Sequence, residues 1–506
     1  FDIVTYTGTG SNRTIAHNLG SVPGMIMVKR TSGATGNWKV WHRSLPNTAT
    51  DFVTLNETGG KESAANHWNS TAPTSTQFSL GTNANVNDDG SAYVAYIFAH
   101  DDQSFGTSGN ESIIKCGSYT GSSSGVNIDL GFEPQWVMVK RSNGTGSWYI
   151  MDTMRGFTSS DNPVTLKPNS TDADGGLAKY RITSTGFDWN SDSGDSGQEY
   201  IYMAIRRPNK PPTAATEVFA IDTGSGSSTI PTWDSGFPVD FATLITPAST
   251  TGKLVSARLM GPESLRADSY FDETNDIDLV WDSNTGWGKD YTSTKLSHMF
   301  KRAPGFMDVM CYTGDNTARA YNHNLGVKPE LILRKSRSGY AHWIVYSATL
   351  GAGYYLSNSE NHGALGGGSN TTAWNNTEPT ATQFTVGGSF SPAEPFLVVL
   401  FATLSGISKV GSYTGTGNAI NVDCGFSSGA RFILIKRTDA GGDWFVYDTA
   451  RGIISGNDPY FLLNTTAAQV TNTDYIDPLN SGFTVTSSAP TGLNASGGTY
   501  IFLAIA

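Results

Sequence analysis

Residues 25–30 read MIMVKR, and three near-copies follow: WVMVKR at 136–141, LILRKS at 331–336 and FILIKR at 432–437. Seven or eight residues past the last basic side chain of each stands a tryptophan: Trp38, Trp148, Trp343 and Trp444. Successive residues of a strand point to opposite faces. Met25 to Val28 are apolar on both, so both faces are buried, as in the middle strand of a packed sandwich. Lys29 and Arg30 mark where the strand leaves the core, with their stems lying along it. The turn TSGATG (31–36) reverses the chain, and Trp38 re-enters the core.

Working outward, each copy sits in the same frame. A YTG triplet opens at Tyr6, Tyr119, Tyr312 and Tyr413, and a polar turn ends in Gly20, Gly131, Gly326 or Gly425 just before the strand. Each frame closes on an apolar strand: YVAYIFAH (93–100), YIYMAIRR (200–207), FLVVLFAT (396–403) and YIFLAIA (500–506). A decayed copy between them keeps SGFP (235–238), FATLIT (241–246) and KLSHMF (295–300), but lacks YTG and the basic strand end. A period of about 100 residues means an array of domains, not a solenoid. The expected fold is all-β, a tandem array of five β-sandwich, jelly-roll-like modules at 1–105, 106–212, 213–305, 306–404 and 405–506. The first and fourth share HNLG and W-N-x-T-x-P-T-x-T-Q-F, and the second and fifth share GSYTG and D-T-x-R-G. The order is therefore A-B-C-A-B, and we call the modules A1, B1, C, A2 and B2. A duplicated three-module unit, cut after its second B, is the simplest reading.

Composition agrees. The chain has 506 residues, 57 of them glycine, and only 15% are charged, against roughly 25% in an average soluble protein. A net charge of -11 argues against a nucleic-acid groove and against adhesion to anionic lipid by charge. No run approaches the roughly 20 apolar residues of a membrane helix, so no membrane insertion is expected. Cys116, Cys311 and Cys424 form neither a disulfide framework nor a zinc motif and read as buried thiols. Phe1 opens the chain with no signal-peptide pattern, as in a processed chain or a segment of a longer one.

Few residues point to chemistry. His17 and His323 recur in HNLG, where a turn cap is the simpler reading than a metal or catalytic role. Asp152 with Arg155, and Asp448 with Arg451, could be a carboxylate and its partner; the spacing and the following glycine favour a stapled turn. The acidic stretches DADG (172–175), DWNSDSGD (188–195) and DETNDID (272–278) could hold Ca²⁺, with Asp188, Asp192 and Asp195 as candidate ligands, yet none matches a calcium-loop pattern; solvated loops are the plain reading, and no cofactor is expected. Glu62, Glu133, Glu273 and Glu378 lack counterparts in sister modules, so no paired-carboxylate hydrolase site is marked. Aromatics beside amides make sugar platforms, which singles out Trp41, His42, His67, Trp374 and Asn375; the bland alternative is core, at least for the recurring Trp68 and Trp374.

Taken together, GSYTG (117–121), LGFEPQWVMVKR (130–141), W-x-x-x-D-T-x-R-G (148–156) and YIYMAIRRP (200–208) resemble repeat modules of tailed-phage virion proteins, most closely those of tail-fibre and other structural proteins of marine and cyanobacterial phages. The resemblance is strongest over 113–212, clear over 1–100 and 308–506, and weak over 213–305. It implies a non-enzymatic component of the virion exterior, assembled in the host cytoplasm, and brings no catalytic residues. The expectation is a tail-fibre or tail-appendage protein that contacts other virion proteins and adheres to host surface polysaccharide. A homo-oligomer, by analogy a trimer, is expected. A capsid-decoration or fibre-shaft protein and a polysaccharide depolymerase acting around Asp272 to Asp282 are the alternatives.

Overall fold

The structure is a computed structural model. It describes the chain apart from residues 107–108, 161–162, 177–179, 191–194, 227–228, 277, 290–294, 340, 358–364 and 367–371. The chain forms two compact units, Phe1–Pro208 and Asn209–Ala506. The first holds A1 and B1, and the second holds C, A2 and B2. Every sheet is built from strands of one module.

In A1 the large sheet runs, in spatial order, Asp2–Thr7, Ala92–Phe98, Met25–Arg30, Lys39–His42, Asp51–Thr54 and Glu62–Ser63, all antiparallel. The two-stranded sheet of Arg13–Ala16 and Gln77–Leu80 covers one face of it. A2 repeats the order with Met307–Thr313, Pro395–Phe401, Leu331–Ser336, Ile344–Ser347, Tyr354–Ser357 and Leu365–Gly366. C does the same with Phe219–Asp222, Leu296–Phe300, Phe241–Ile245, Leu254–Ala257, Glu263–Arg266 and Thr274–Asn275. The decayed sequence thus keeps the A-type sheet. B1 and B2 have large sheets of four and five strands and second sheets of three.

The repeated motifs have local reasons. The YTG tyrosine lies opposite an aromatic of the closing strand and stacks on it: Tyr6 on Tyr93 at 5.1 Å, Tyr119 on Tyr200 at 5.0 Å, Tyr312 on Phe396 at 5.1 Å, Tyr413 on Tyr500 at 4.8 Å. A Cβ on the YTG glycine would strike a backbone oxygen, at 2.1 Å for Gly8 and 2.2 Å for Gly415. The glycine before the MIMVKR-type strand is left-handed in all five modules, with φ of 76° at Gly20, 74° at Gly131, 77° at Gly236, 76° at Gly326 and 72° at Gly425. A side chain caps each of these turns. The Nδ1 atoms of His17 and His323 accept the N–H of Leu19 and Leu325. Asp129, Asp234 and Asp423 accept that of Gly131, Gly236 and Gly425.

The large sheet is buried on both faces, but not inside one sandwich. Ile26 and Val28 join the core under A1's own two-stranded sheet, whereas Met25 and Met27 join a second core with Met138, Trp148 and Met203 of B1. In the second unit Ile433 and Ile435 face B2's own second sheet, while Phe432 and Leu434 enter a core shared with Phe241 and Phe300 of C and Leu331 and Phe401 of A2. The period of two in these strands therefore separates a module core from a junction core.

Candidate functional site at the module junctions

The side chains expected to form sugar platforms lie inside. Trp41 is buried in the A1 core and donates its indole N–H to the Thr48 carbonyl at 2.7 Å. His42 is 1% exposed at the A1–B1 junction. Its Nδ1 accepts from Ser44 N–H, so Nε2 carries the proton and donates to the Tyr202 carbonyl at 3.0 Å. Burial pushes its pKa down to about 4. His67 lies in a four-residue helix, 65–68, that turns it inward onto the Phe52 ring at 3.9 Å. Trp374 is 1% exposed and packs on Tyr346. Stacking needs an open ring face, and none of these four offers one; their large apolar area draws them into the cores. Asn375 alone is at the surface, in a left-handed turn with φ of 49°.

The acidic candidates are engaged by protein donors. Asp188 accepts from Asn127 at 2.6 Å and Asp195 from the Tyr200 hydroxyl at 2.9 Å, while Asp192 lies outside the described residues. Among the described residues no three His, Cys, Asp or Glu side chains converge on a metal position. Glu273, in the stretch considered for depolymerase chemistry, is paired with Arg337 at 2.7 Å.

The hairpin tryptophans form the joints. Trp148 of B1 donates its indole N–H to the Thr54 carbonyl of A1 at 2.9 Å. Trp343 of A2 donates to Arg266 of C at 2.9 Å, and Trp444 of B2 donates to Ser357 of A2 at 3.0 Å. Each acceptor is the last residue of the fifth strand of its sheet. In C the same hairpin position is Lys253, because Leu254 pairs with Leu244 as Lys39 pairs with Val28. Lys253 donates from Nζ to the Thr465 and Ala467 carbonyls of B2. A2 is locked on C, B2 on A2, and C on B2, which closes a ring of three modules.

The stapled turns complete the joint. Asp448 accepts the Arg451 backbone N–H at 3.0 Å and pairs with its guanidinium at 2.6 Å. It also meets Nε2 of His298, from C, at 3.0 Å, and the other His298 ring nitrogen meets the Thr243 hydroxyl at 2.9 Å. Burial works to raise the Asp448 carboxyl, but Arg451 and His298 outweigh it and hold it well below the usual carboxylate range. In B1, Asp152 accepts from Arg155 at 2.9 and 3.0 Å, and Arg155 reaches on to Asp174 at 2.5 Å. Lysines of the repeated strand also cross joints: Lys140 donates to Thr58 of A1 at 2.9 Å and Lys335 to Ser269 of C at 2.5 Å.

Sequence reasoning overlooked His298, Lys253 and the buried lysines. The signal for His298 was an ionisable residue at the centre of the closing strand, where Tyr96, Met203, Val399 and Leu503 stand in the sister modules. The lysines were read as strand ends, whereas Lys140, Lys335 and Lys436 are buried. The second unit also carries a groove of about 630 Å³ lined by Leu244, Thr246, Thr250, Thr251, Arg266 and Lys295 of C and by Thr466 of B2.

These features define an all-β, multi-module protein in which Trp148, Trp343, Trp444, Lys253 and Asp448 hold joints between modules. A family model described as "Domain of unknown function (DUF7483)" matches residues 1–208 and 279–506, and the chain belongs to that family. The unmatched stretch is most of module C, the divergent one. No curated protein matches the chain.

Proposed function

We propose that the chain is a structural component of a phage virion, a scaffold of interlocked β-modules on the particle exterior. The resemblance of its motifs supplies the virion. The observation that carries the structural role is the use of Trp148, Trp343, Trp444 and Lys253 as locks between modules rather than as ligand platforms. Three modules of one chain cover each other's sheet faces in the second unit, so a homotrimer is not needed to bury them. Mass spectrometry of purified particles of the encoding phage should return this chain at the stoichiometry of a structural protein. Its retention in the lysate, away from particles, would sink the reading.

One observation favours host-glycan adhesion as a second role. The groove between C and B2 has the volume of a ligand site, and its lining includes Thr246, Thr250, Thr251, Lys295 and Arg266, the last also paired with Asp268 at 2.6 Å; hydroxyls and cationic groups suit an acidic polysaccharide. Binding of the purified chain to host polysaccharide, with and without EDTA, tests it. Thr251→Glu should weaken such binding by like-charge repulsion, and binding unchanged by that substitution would place adhesion elsewhere.

A further inference from the structure

The two units offer the same joint in two states. In the second unit, C sits between A2 and B2 and contacts both. Trp343 of A2 is 1% exposed and bonded to Arg266 of C. Phe401 of A2 and Phe432 of B2 pack on Phe300 of C, at 5.8 and 6.1 Å. Asp448 of B2, with a side chain 0% exposed, meets His298 of C.

Strand register gives the counterparts in the first unit. Trp38 stands for Trp343, Phe98 for Phe401, Trp136 for Phe432 and Asp152 for Asp448. All four are more open. Trp38, Phe98 and Trp136 are only half-buried, and the Asp152 side chain is 20% exposed. The Trp38 indole N–H has no acceptor among the described residues. Lys29, the counterpart of Lys335, donates to Gly36 and lies over the Trp38 ring, both in its own hairpin, where Lys335 donates to a neighbouring module. The defects lie on both A1 and B1, and each faces the side that C covers in the second unit. The direct A–B joint itself is made in both units, by Trp148 and by Trp444.

We propose that the A1–B1 pair is a docking site for a third module of the C class, carried on polypeptide other than residues 213–305. Its occupant presents a phenylalanine-lined sheet face to Phe98 and Trp136, a fifth-strand carbonyl to the Trp38 indole, and a histidine to Asp152. The match is not complete, since Gln135 stands where Arg431 bonds the Phe219 carbonyl of C. The inference does not depend on the proposed virion role.

The test joins an added copy of residues 213–306 directly before Phe1 of the full chain. This reproduces the C-to-A connection, because Asp2 holds Asn18 as Asp308 holds Asn324. Oxidation by N-bromosuccinimide, read by peptide mass spectrometry, reports each tryptophan separately. In the native chain Trp38 should react well before Trp343 and Trp444. In the extended chain its rate should fall by about tenfold or more, a modest docking equilibrium. Replacing His298 of the added copy by Ala should return part of that reactivity. The proposal is overturned if Trp38 stays reactive while the added copy is folded. It is equally overturned if the added copy stays unfolded beside A1–B1 while the resident copy folds beside A2–B2. Protection of Trp38 in the native chain on self-association would assign the face to a second copy instead.

Discussion

At the scale of single residues, the joints make strong and opposed demands. Trp444 is buried and hydrogen-bonded across a joint, so Trp444→Ala should cost about 3–5 kcal/mol in urea denaturation. Trp38→Ala, at a half-buried ring with no bonded indole, should cost about 1 kcal/mol. Equal costs would mean that burial at the joint is not what the tryptophan provides. Asp448→Asn leaves the buried Arg451 and His298 without their anion and should cost about 3–5 kcal/mol, whereas Asp152→Asn, beside solvent, should cost under about 1 kcal/mol. Because Asp448 is held below its ordinary range, its contribution is present above the unfolded carboxylate pKa and is lost as pH falls below it. The buried lysines give a pH dependence of the same sign in an alkaline window, because there burial disfavours the charged form. Burial pushes the Lys335 amine down to about 8 from 10.5, so between those values the folded state binds fewer protons than the unfolded one. Stability from this group therefore rises with pH across that window, by about 1.4 kcal/mol per pH unit. The stability of the native chain relative to Lys335→Met should climb with that slope in urea titrations at successive pH values, and a flat difference would show that the amine stays charged.

At the scale of elements, the two kinds of repeated glycine separate by what surrounds them. Gly425 is left-handed, and a Cβ added there would meet nothing within 4 Å, so Gly425→Ala should cost only the backbone strain, about 1 kcal/mol. Gly415 would drive its Cβ to 2.2 Å from the Ala495 oxygen, so Gly415→Ala must displace backbone and should cost about 2–3 kcal/mol. Thermal melts of the two variants would rank them, and the reverse ranking would refute the close-approach account of YTG. Much of this was legible in the sequence. The strand, the turn glycine, the tryptophan return and the closing strand repeat in order, and a period of two with apolar residues on both faces reads as double burial without reference to any neighbour. What covers the second face was not legible, because the contact of Met25 with B1, or of Phe432 with C, joins residues with no fixed spacing. The sugar-platform reading failed at His67 for a local reason: the short helix 65–68 rotates an aromatic beside Asn into the core, where strand or loop geometry would have left it outside. His298 escaped notice because C lost the triplet and basic strand end that align the other modules.

At the scale of the molecule, the shared core of the second unit makes a claim about cooperativity. C, A2 and B2 each bury one face of the large sheet in common, and the cyclic order of locks leaves no module held by only one neighbour. Removing one module would expose the apolar sheet faces of the other two, at about 25 cal/mol per Å². The three should therefore unfold as one unit rather than as three domains. A1 and B1 share a smaller junction core, with Trp38, Phe98, Trp136 and Ile150 only partly covered, and should open at lower denaturant. Hydrogen exchange followed by mass spectrometry across a urea series distinguishes these schemes. The exchangeable amides within the strands Met25–Arg30 and Pro134–Arg141, from Gln135 on in the second, should lose protection first and together. Those of Phe241–Ile245, Leu331–Ser336 and Phe432–Arg437 should follow in a single later step. Phe300→Ala, a change in C alone, should move that whole step to lower urea, including the strands of A2 and B2 that share its core and carry Phe401 and Phe432. If A2 and B2 keep their native midpoints in that variant, the modules are separate domains joined side by side, and the ring is a contact without cooperative weight.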